Sequence, residues 1–296
     1  MSHTIQQIQD LLAGAGISPR HQWGQNFLID INLMHLLINT ADLMGKETIL
    51  EVGTGTGSLT DLLAEKAGFV VTVDIDRGLS MIACNELAHH TNVKHINTDI
   101  LASKSLLAPE VTDCLKAEHK KLNGPFYLMA NLPYNISSPL IINLLLNYMP
   151  DKIVVTVQAE VGHRMASEPG CKQYGMLGIL LQALGSVKYI RTIKPGSFWP
   201  SPKIDSAIIS WELDQEKLAK IKNIAKLKQT IDIALGHRRK TINSCLKPQE
   251  NKTLMVEKLN ELGIDTKRRG ETLSPEEFVA LANAWDEFLT SKKVNK

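Results

Sequence analysis

The most specific chemistry in this chain lies in Asn131-Leu132-Pro133-Tyr134. An exocyclic aromatic amine such as adenine N6 is a poor nucleophile, because its lone pair is delocalised into the ring. The Asn131 side-chain oxygen and the Leu132 backbone carbonyl can each accept one of its hydrogens, drawing the nitrogen toward tetrahedral geometry and aiming its lone pair. Pro133 stiffens the backbone that presents this carbonyl, and Tyr134 offers a ring for a base to stack on. Taken alone, the four residues are equally an ordinary turn after a strand, so their meaning depends on what stands beside them.

A second motif supplies a neighbour. Glu51-Val52-Gly53-Thr54-Gly55-Thr56-Gly57 follows an apolar run and opens a helical pattern, the place where an open α/β sheet binds its ligand. The spacing is G-x-G-x-G; a dinucleotide fingerprint would put its third glycine at position 58, which is Ser58. Glycine lets the backbone turn tightly and approach a ligand closely. Glu51 would repel a phosphate but suits a ligand with ammonium and sulfonium groups. Asp74, 21 residues after Gly53, ends the next apolar run at the separation from which an acid accepts both ribose hydroxyls, while Asp76 either points to the opposite side or starts the following turn. Asp99 ends the third run and can accept a hydrogen bond from an adenine amino group. Each acid alone is a common loop or capping residue; in order, at consecutive strand ends, they point to a nucleoside cofactor. S-adenosylmethionine suits the set, and NAD satisfies much of the same pattern.

The elements that must hold these residues follow from periodicity. Thr48 to Val52, Phe69 to Asp74, Val93 to Thr98, Phe126 to Ala130 and Lys152 to Val157 read as strands, with helices over Ser58 to Lys66 and Gly78 to Ala88. Such strand–helix repeats predict a parallel, doubly wound sheet with right-handed crossovers. Strands are also expected over Lys188 to Ile193 and Ala207 to Leu213. Between them, Pro195, Pro200 and Pro202 exclude regular structure. Beyond Leu213 the pattern turns to amphipathic helices over Lys217 to Leu235, Arg239 to Leu246 and Leu254 to Gly263. Ser274-Pro275-Glu276-Glu277 is a helix start with a capping box. Two domains result: a Rossmann-like α/β domain with an amino-terminal arm over 1–213, and a smaller all-α domain over 214–296.

Composition bounds the function. With 296 residues, 44% hydrophobic and 22% charged, the chain has the make-up of a folded globular protein. No apolar run approaches the ~18 residues needed to span a bilayer, and the first nineteen residues carry no Lys or Arg, so no secretory or transit leader is expected. The expectation is a cytoplasmic monomer with no membrane partner. Cys84, Cys114, Cys171 and Cys245 are widely spaced, which argues against a thiolate metal site or redox pair; no metal is expected. Residues 1–213 hold 16 Lys and Arg against 19 Asp and Glu, whereas 214–296 hold 17 against 12. A basic tail suits a polyanionic partner, and Arg238, Arg239, Lys240, Lys267, Arg268 and Arg269 are the candidate phosphate-binding residues.

The motifs together resemble the ribosomal RNA adenine N6-dimethyltransferase family, of the type acting on small-subunit rRNA. The similarity runs nearly end to end. It includes Gly24-Gln25-Asn26-Phe27-Leu28, the glycine loop, Asn131 to Tyr134, Gln158-Ala159-Glu160-Val161 with Arg164 and Pro169-Gly170, and Tyr174-Gly175-x-Leu177. It continues through Phe198-x-Pro200-x-Pro202-Lys203-Ile204-Asp205-Ser206-Ala207 and Arg238-Arg239-Lys240-Thr241. The resemblance implies that Asn26, Leu28, Gly53, Asp74, Asp99 and Asn131 contact S-adenosylmethionine, with Glu51, Gly55, Gly57, Ile75 and Ile100 counted in the same site. It implies that Asn131 to Tyr134 hold the target adenine and that Phe198 stacks on it from the other side. The implied reaction is N6,N6-dimethylation of two adjacent adenosines in the loop of the last helix of small-subunit 16S rRNA, within an assembling ribosomal particle. Two positions depart from the family's usual pattern: Asp74 stands where Glu is common, and Arg20-His21-Gln22-Trp23 is a less basic lead into Gly24. A large-subunit rRNA dimethyltransferase of the antibiotic-resistance type, an assembly factor with secondary methylation, and a nicotinamide-dependent oxidoreductase are the alternatives weighed.

Overall fold

The structure is a computed structural model and describes residues 3–20, 24–103, 106–237, 239–286 and 288. Helix α1 (Ile5–Gly14) begins at a Thr4–Gln7 capping box. A two-residue strand, β1 (Phe27–Leu28), leads into α2 (Ile31–Ala41), whose first amides are capped by Asp30. Then come β2 (Thr48–Val52), α3 (Ser58–Ala64), β3 (Phe69–Asp74), α4 (Arg77–Glu86) and β4 (Val93–Asn97). The short antiparallel pair β5 (Leu101–Ser103) and β6 (Leu106–Leu107) precedes α5 (Pro109–Leu122). The sheet resumes with β7 (Phe126–Asn131), α6 (Ser137–Asn147) and β8 (Lys152–Gln158), followed by α7 (Ala159–Met165), α8 (Met176–Leu184) and β9 (Gly185–Ile193). Finally, β10 (Phe198–Trp199) and β11 (Ser206–Leu213) lead to α9 (Gln215–Ala219), α10 (Ile224–Leu235), α11 (Ile242–Cys245), α12 (Lys252–Glu261) and α13 (Pro275–Trp285).

Seven strands form one sheet in the order β4-β3-β2-β7-β8-β11-β9. The five neighbours β4, β3, β2, β7 and β8 are parallel, as the strand–helix repeats predict, while β11 runs antiparallel to β8. The fully parallel expectation is therefore corrected at that edge. β2, β3 and β8 are buried along nearly their whole length, because helices cover both faces of a parallel sheet. Strand order reverses between β2 and β7: the chain builds outward from β2 to β4, then returns to β2's other side. That reversal opens a crevice at the carboxyl ends of the strands, which is where both motifs stand.

By compactness the chain divides into two units, Met1–Gly162 with Lys188–Glu212, and His163–Val187 with Leu213–Lys296. Residues 163–187, expected with the sheet, thus group with the tail. The reason is apolar: α8, buried at Leu177, Ile179, Leu180, Leu181 and Leu184, packs on α10 and α13, and the buried Tyr174 hydroxyl donates to Leu273 O at 3.0 Å. The single helix expected over 217–235 is two, since Asp214 caps α9 and Asn223 caps α10. Thr241 caps α11, shortening the helix expected from Arg239. Ser274 and Glu277 form the expected capping box of α13. The proline-rich stretch is more ordered than expected: Pro195–Ser197 makes a 3₁₀ turn and β10 pairs with β1. No helix among the described residues is long and apolar enough to cross a membrane.

Candidate active site

An open cleft of about 160 Å³ lies over the strand ends, lined from four directions. β2 contributes Glu51 and the loop Gly53 to Thr56; β3 contributes Asp74 and Ile75; the segment after β4 contributes Asp99 and Ile100; β7 and its turn contribute Asn131 to Ile136. The arm from Gly24 to Leu28 closes the remaining side.

The loop needs its glycines. Gly53 and Gly55 have φ of +92° and +58°, a region that costs an L-residue roughly 1–2 kcal/mol. A Cβ on Gly53 would stand 3.3 Å from Pro133 Cδ, so the loop and the Asn-Leu-Pro-Tyr turn meet at van der Waals distance. Gly57, expected in the cofactor site, is not in the cleft wall: with φ +88° it forms the N-cap of α3, and a Cβ there would press on Leu87.

The acids differ in what they are free to do. Asp74 accepts from Gly55 N at 2.9 Å and from Asp76 N at 2.8 Å. Burial pushes its carboxyl up to about 6 against those hydrogen bonds. Glu51 is deeper, its Oε2 accepting from Thr60 Oγ1 at 2.6 Å and Thr72 Oγ1 at 2.7 Å, and burial pushes it up to about 7. Its Oε1 is buried with no partner. Of the two roles open to Asp76 it takes the second, capping α4 at the start of the following turn, and it also accepts from Gln25 Nε2 at 3.0 Å. Asp99 is exposed and accepts from Leu101 N at 2.9 Å. Ile75 stands 45% exposed in the cleft wall, an apolar face offered to a ligand.

Asn131 is the focus. Its Nδ2 donates to Asn26 O at 2.9 Å. A carbonyl can only accept, so this bond fixes the amide with its oxygen turned away from the arm. That oxygen, Oδ1, is buried with no hydrogen-bond partner, a costly state that a bound donor relieves. Leu132, 1% exposed, contributes through its backbone, and Pro133 rests against the glycine loop. Tyr134 Oη bonds Ser206 Oγ at 2.6 Å, holding the ring in place at the cleft.

Phe198 is corrected. It is 3% exposed and packs in the core with Leu28, Met34 and Ile208, so it does not present a face to a base. Its backbone pairs with Leu28 while Phe27 stacks on Trp199 at 6.2 Å; Phe198 anchors the arm. Leu28 likewise lines the cleft from a mostly buried position. Gln25, Ser206 and His3 support the site through contacts that no sequence pattern marks. His3 Nδ1 lies 3.0 Å from both Thr56 Oγ1 and Ser58 Oγ, and its Nε2 lies 3.1 Å from Glu86. These bonds join distant segments, and no local pattern signals them.

In the helical unit, Arg239 and Lys240 are exposed. Thr241 bridges Arg269, and Ile242 N donates to Arg268 O at 2.9 Å, so the two basic segments lie side by side. Arg268 is corrected: its guanidinium makes a two-pronged bond to Glu277 at 2.6 and 3.0 Å and a further bond to Thr272 O. It staples the unit instead of facing outward. Arg269 is half exposed, 3.9 Å from Glu271, and Lys267 is exposed. Arg238 lies outside the described residues.

Sheet order, switch-point cleft and glycine loop are those of the Rossmann-like methyltransferases. Solved structures share the fold: a dimethyladenosine transferase from Plasmodium falciparum superposes with TM-score 0.71 at 22% identity, over 89% of this chain and all of that one. The 23S rRNA methyltransferase ErmE gives 0.62 at 22%, over 88% of this chain and all of that one. The family model described as ribosomal RNA adenine dimethylase matches residues 17–287, and the chain belongs to this family. Among similar curated proteins, the ribosomal RNA small subunit methyltransferase A of Clostridium perfringens is 36% identical over 273 residues, 90% of this chain and 91% of its own. The Bacillus mycoides protein of the same name is 35% identical over 287 residues, 95% of this chain and 96% of its own. The family expected from the motifs is thus the family found.

Proposed function

We propose that this protein is an S-adenosylmethionine-dependent small-subunit rRNA adenine N6,N6-dimethyltransferase. The observation that carries the reading is the partnerless Asn131 Oδ1, fixed by Asn26 beside a glycine loop with acids at the neighbouring strand ends. Asp74 would hold the ribose hydroxyls, Asp99 the adenine amino group of the cofactor, and Ile75 and Ile100 its ring. When bound, S-adenosylmethionine supplies a methyl group activated by its positive sulfonium. Asn131 Oδ1 and the Leu132 carbonyl accept the N6 hydrogens of the target adenine, leaving the lone pair to point at the donor side of the cleft. Tyr134 replaces the stacking lost when the base leaves its helix, worth about 1–3 kcal/mol. The methylated nitrogen is acidic and gives its proton to water, so the site's work is positioning and desolvation.

The finer reading is two adjacent adenosines in the last helix of the small-subunit rRNA, met in an assembling particle by a cytoplasmic monomer. The curated relatives' names favour the small subunit over the large. Labelled methyl transfer to unmethylated small subunits, set against large-subunit rRNA, tests this: label is expected on the former, and preferential labelling of the latter overturns it.

Cation roles separate by salt. Arg239→Ala with Lys240→Ala is expected to weaken rRNA binding and lower the salt slope by about 1 per cation. Arg268→Ala should leave that slope unchanged but reduce unfolding stability by about 1 kcal/mol, since it loses a partly exposed ion pair. Filter binding across salt, with urea titration, distinguishes them.

The raised carboxyl of Asp74 gives a pH signature with two signs. The folded chain keeps a proton that the unfolded chain releases above 3.8, so stability without cofactor falls as pH rises from there through about 6. Cofactor affinity moves the other way, because ribose hydroxyls donate to the ionised form. At pH 5 about a tenth of Asp74 is ionised, and affinity should be roughly tenfold below its value above pH 7. Asp74→Asn should flatten the affinity trend and remove only Asp74's share of the stability trend, leaving that of the buried Glu51, read by equilibrium binding and by thermal melts.

A further inference from the structure

Three side chains that take no part in lining the cleft converge on the flank of α3. Asp61, in that helix's first turn, is 7% exposed, with its amide bonded to Gly57 O at 2.9 Å. The turn closing α4, held by His90 N to Leu87 O at 3.0 Å, brings two consecutive histidines to it. Nε2 of His90 lies 2.8 Å, and Nε2 of His89 3.2 Å, from the same Asp61 oxygen. The imidazole centroids are 4.0 Å apart, and one ligand atom from each of the three residues falls within 4.8 Å of the others. Adjacent residues ordinarily send their side chains apart; here two ring nitrogens and a carboxylate oxygen share one focus.

Two imidazoles and a carboxylate are a donor set suited to borderline divalent metals, Zn²⁺ foremost. Bonds of about 2.0–2.1 Å in tetrahedral arrangement separate neighbouring ligand atoms by roughly 3.3 Å, near the two spacings already in place. Glu65, one turn on along α3, adds negative charge at His90. We propose that Asp61, His89 and His90 form a Zn²⁺ site, completed by water, that clips α3 to the end of α4. The inference is independent of methyl transfer. An ion there braces the helix that begins at the glycine loop.

The test is titration of the metal-stripped full chain with Zn²⁺ alone by calorimetry, and with Co²⁺ as a spectroscopic probe. One ion per chain is expected, with a micromolar or tighter Kd. Co²⁺ should give visible bands of a nitrogen–oxygen site, without thiolate charge transfer. At a hundredfold excess of Zn²⁺ over its Kd, Tm should rise by about 5 °C. His89→Ala, at a side chain 63% exposed, should fold as the parent does and lose at least about tenfold in affinity, the loss that even an outer-sphere partner commands. Absence of stoichiometric binding at submillimolar Zn²⁺ overturns the site. So does binding that survives His89→Ala combined with His90→Ala, or thiolate bands assigning the ion to the exposed Cys84 or Cys171.

Discussion

Asn131→Ala is expected to lower kcat by about 10²-fold or more while leaving rRNA affinity within a factor of two or so of the parent. Truncation removes the partnerless Oδ1 and with it one of the two acceptors for the N6 hydrogens. It also removes the Nδ2 bond to Asn26 O, loosening the arm that closes the cleft. Neither change touches the cations of the helical unit, where phosphate affinity would reside. The pairing of lost turnover with kept binding separates a catalytic role from misfolding. Single-turnover methyl transfer alongside filter binding reads both quantities. Near-parent turnover would remove Asn131 from the mechanism.

Gly53→Ala should cost almost as much through a different route. At φ +92° an alanine pays about 1–2 kcal/mol in backbone strain, and its methyl would press on the Pro133 ring at 3.3 Å. Loop and target turn must then move apart, so the cofactor side and the acceptor side are damaged together. A loss of about 10²-fold in kcat/KM is expected, since misplacement of about 1 Å suffices for that. KM for S-adenosylmethionine should rise and kcat fall, measured by initial rates over both substrates. A change in KM alone would show that Gly53 serves binding without setting the spacing to Pro133.

How far the sequence reaches is visible element by element. β2 and β3 match their expected bounds to the residue, because strands buried on both faces appear as mostly apolar, β-branched runs closed by a loop or an acid. The Ser274–Glu277 capping box and the cleft acids are local patterns and are readable for that reason, whereas the equally local Thr4–Gln7 box of α1 is not among the expectations. α8 carries leucine and isoleucine on nearly every side, so it lacks the polar face that gives a helix its period; α2, with Asn32, His35 and Asn39 exposed on one face, has that period and is simply not among the expected helices. Phe198 could face base or core, and pairing with Leu28 from the amino-terminal arm decides for the core. Arg268 could hold phosphate or protein, and Glu277 decides for protein. Local chemistry is written in the residue types; the direction a side chain faces is set by partners far along the chain.

The whole reading rests on the Asn131 amide and the Leu132 carbonyl gripping a purine amine beside the glycine loop. The most direct measurement is a crystal structure of the protein with an unreactive S-adenosylmethionine analogue and an adenosine-bearing RNA. N6 is expected about 3 Å from both Asn131 Oδ1 and Leu132 O, with the analogue's ribose on Asp74. An analogue seated elsewhere, or an adenine whose N6 contacts neither oxygen, would contradict it.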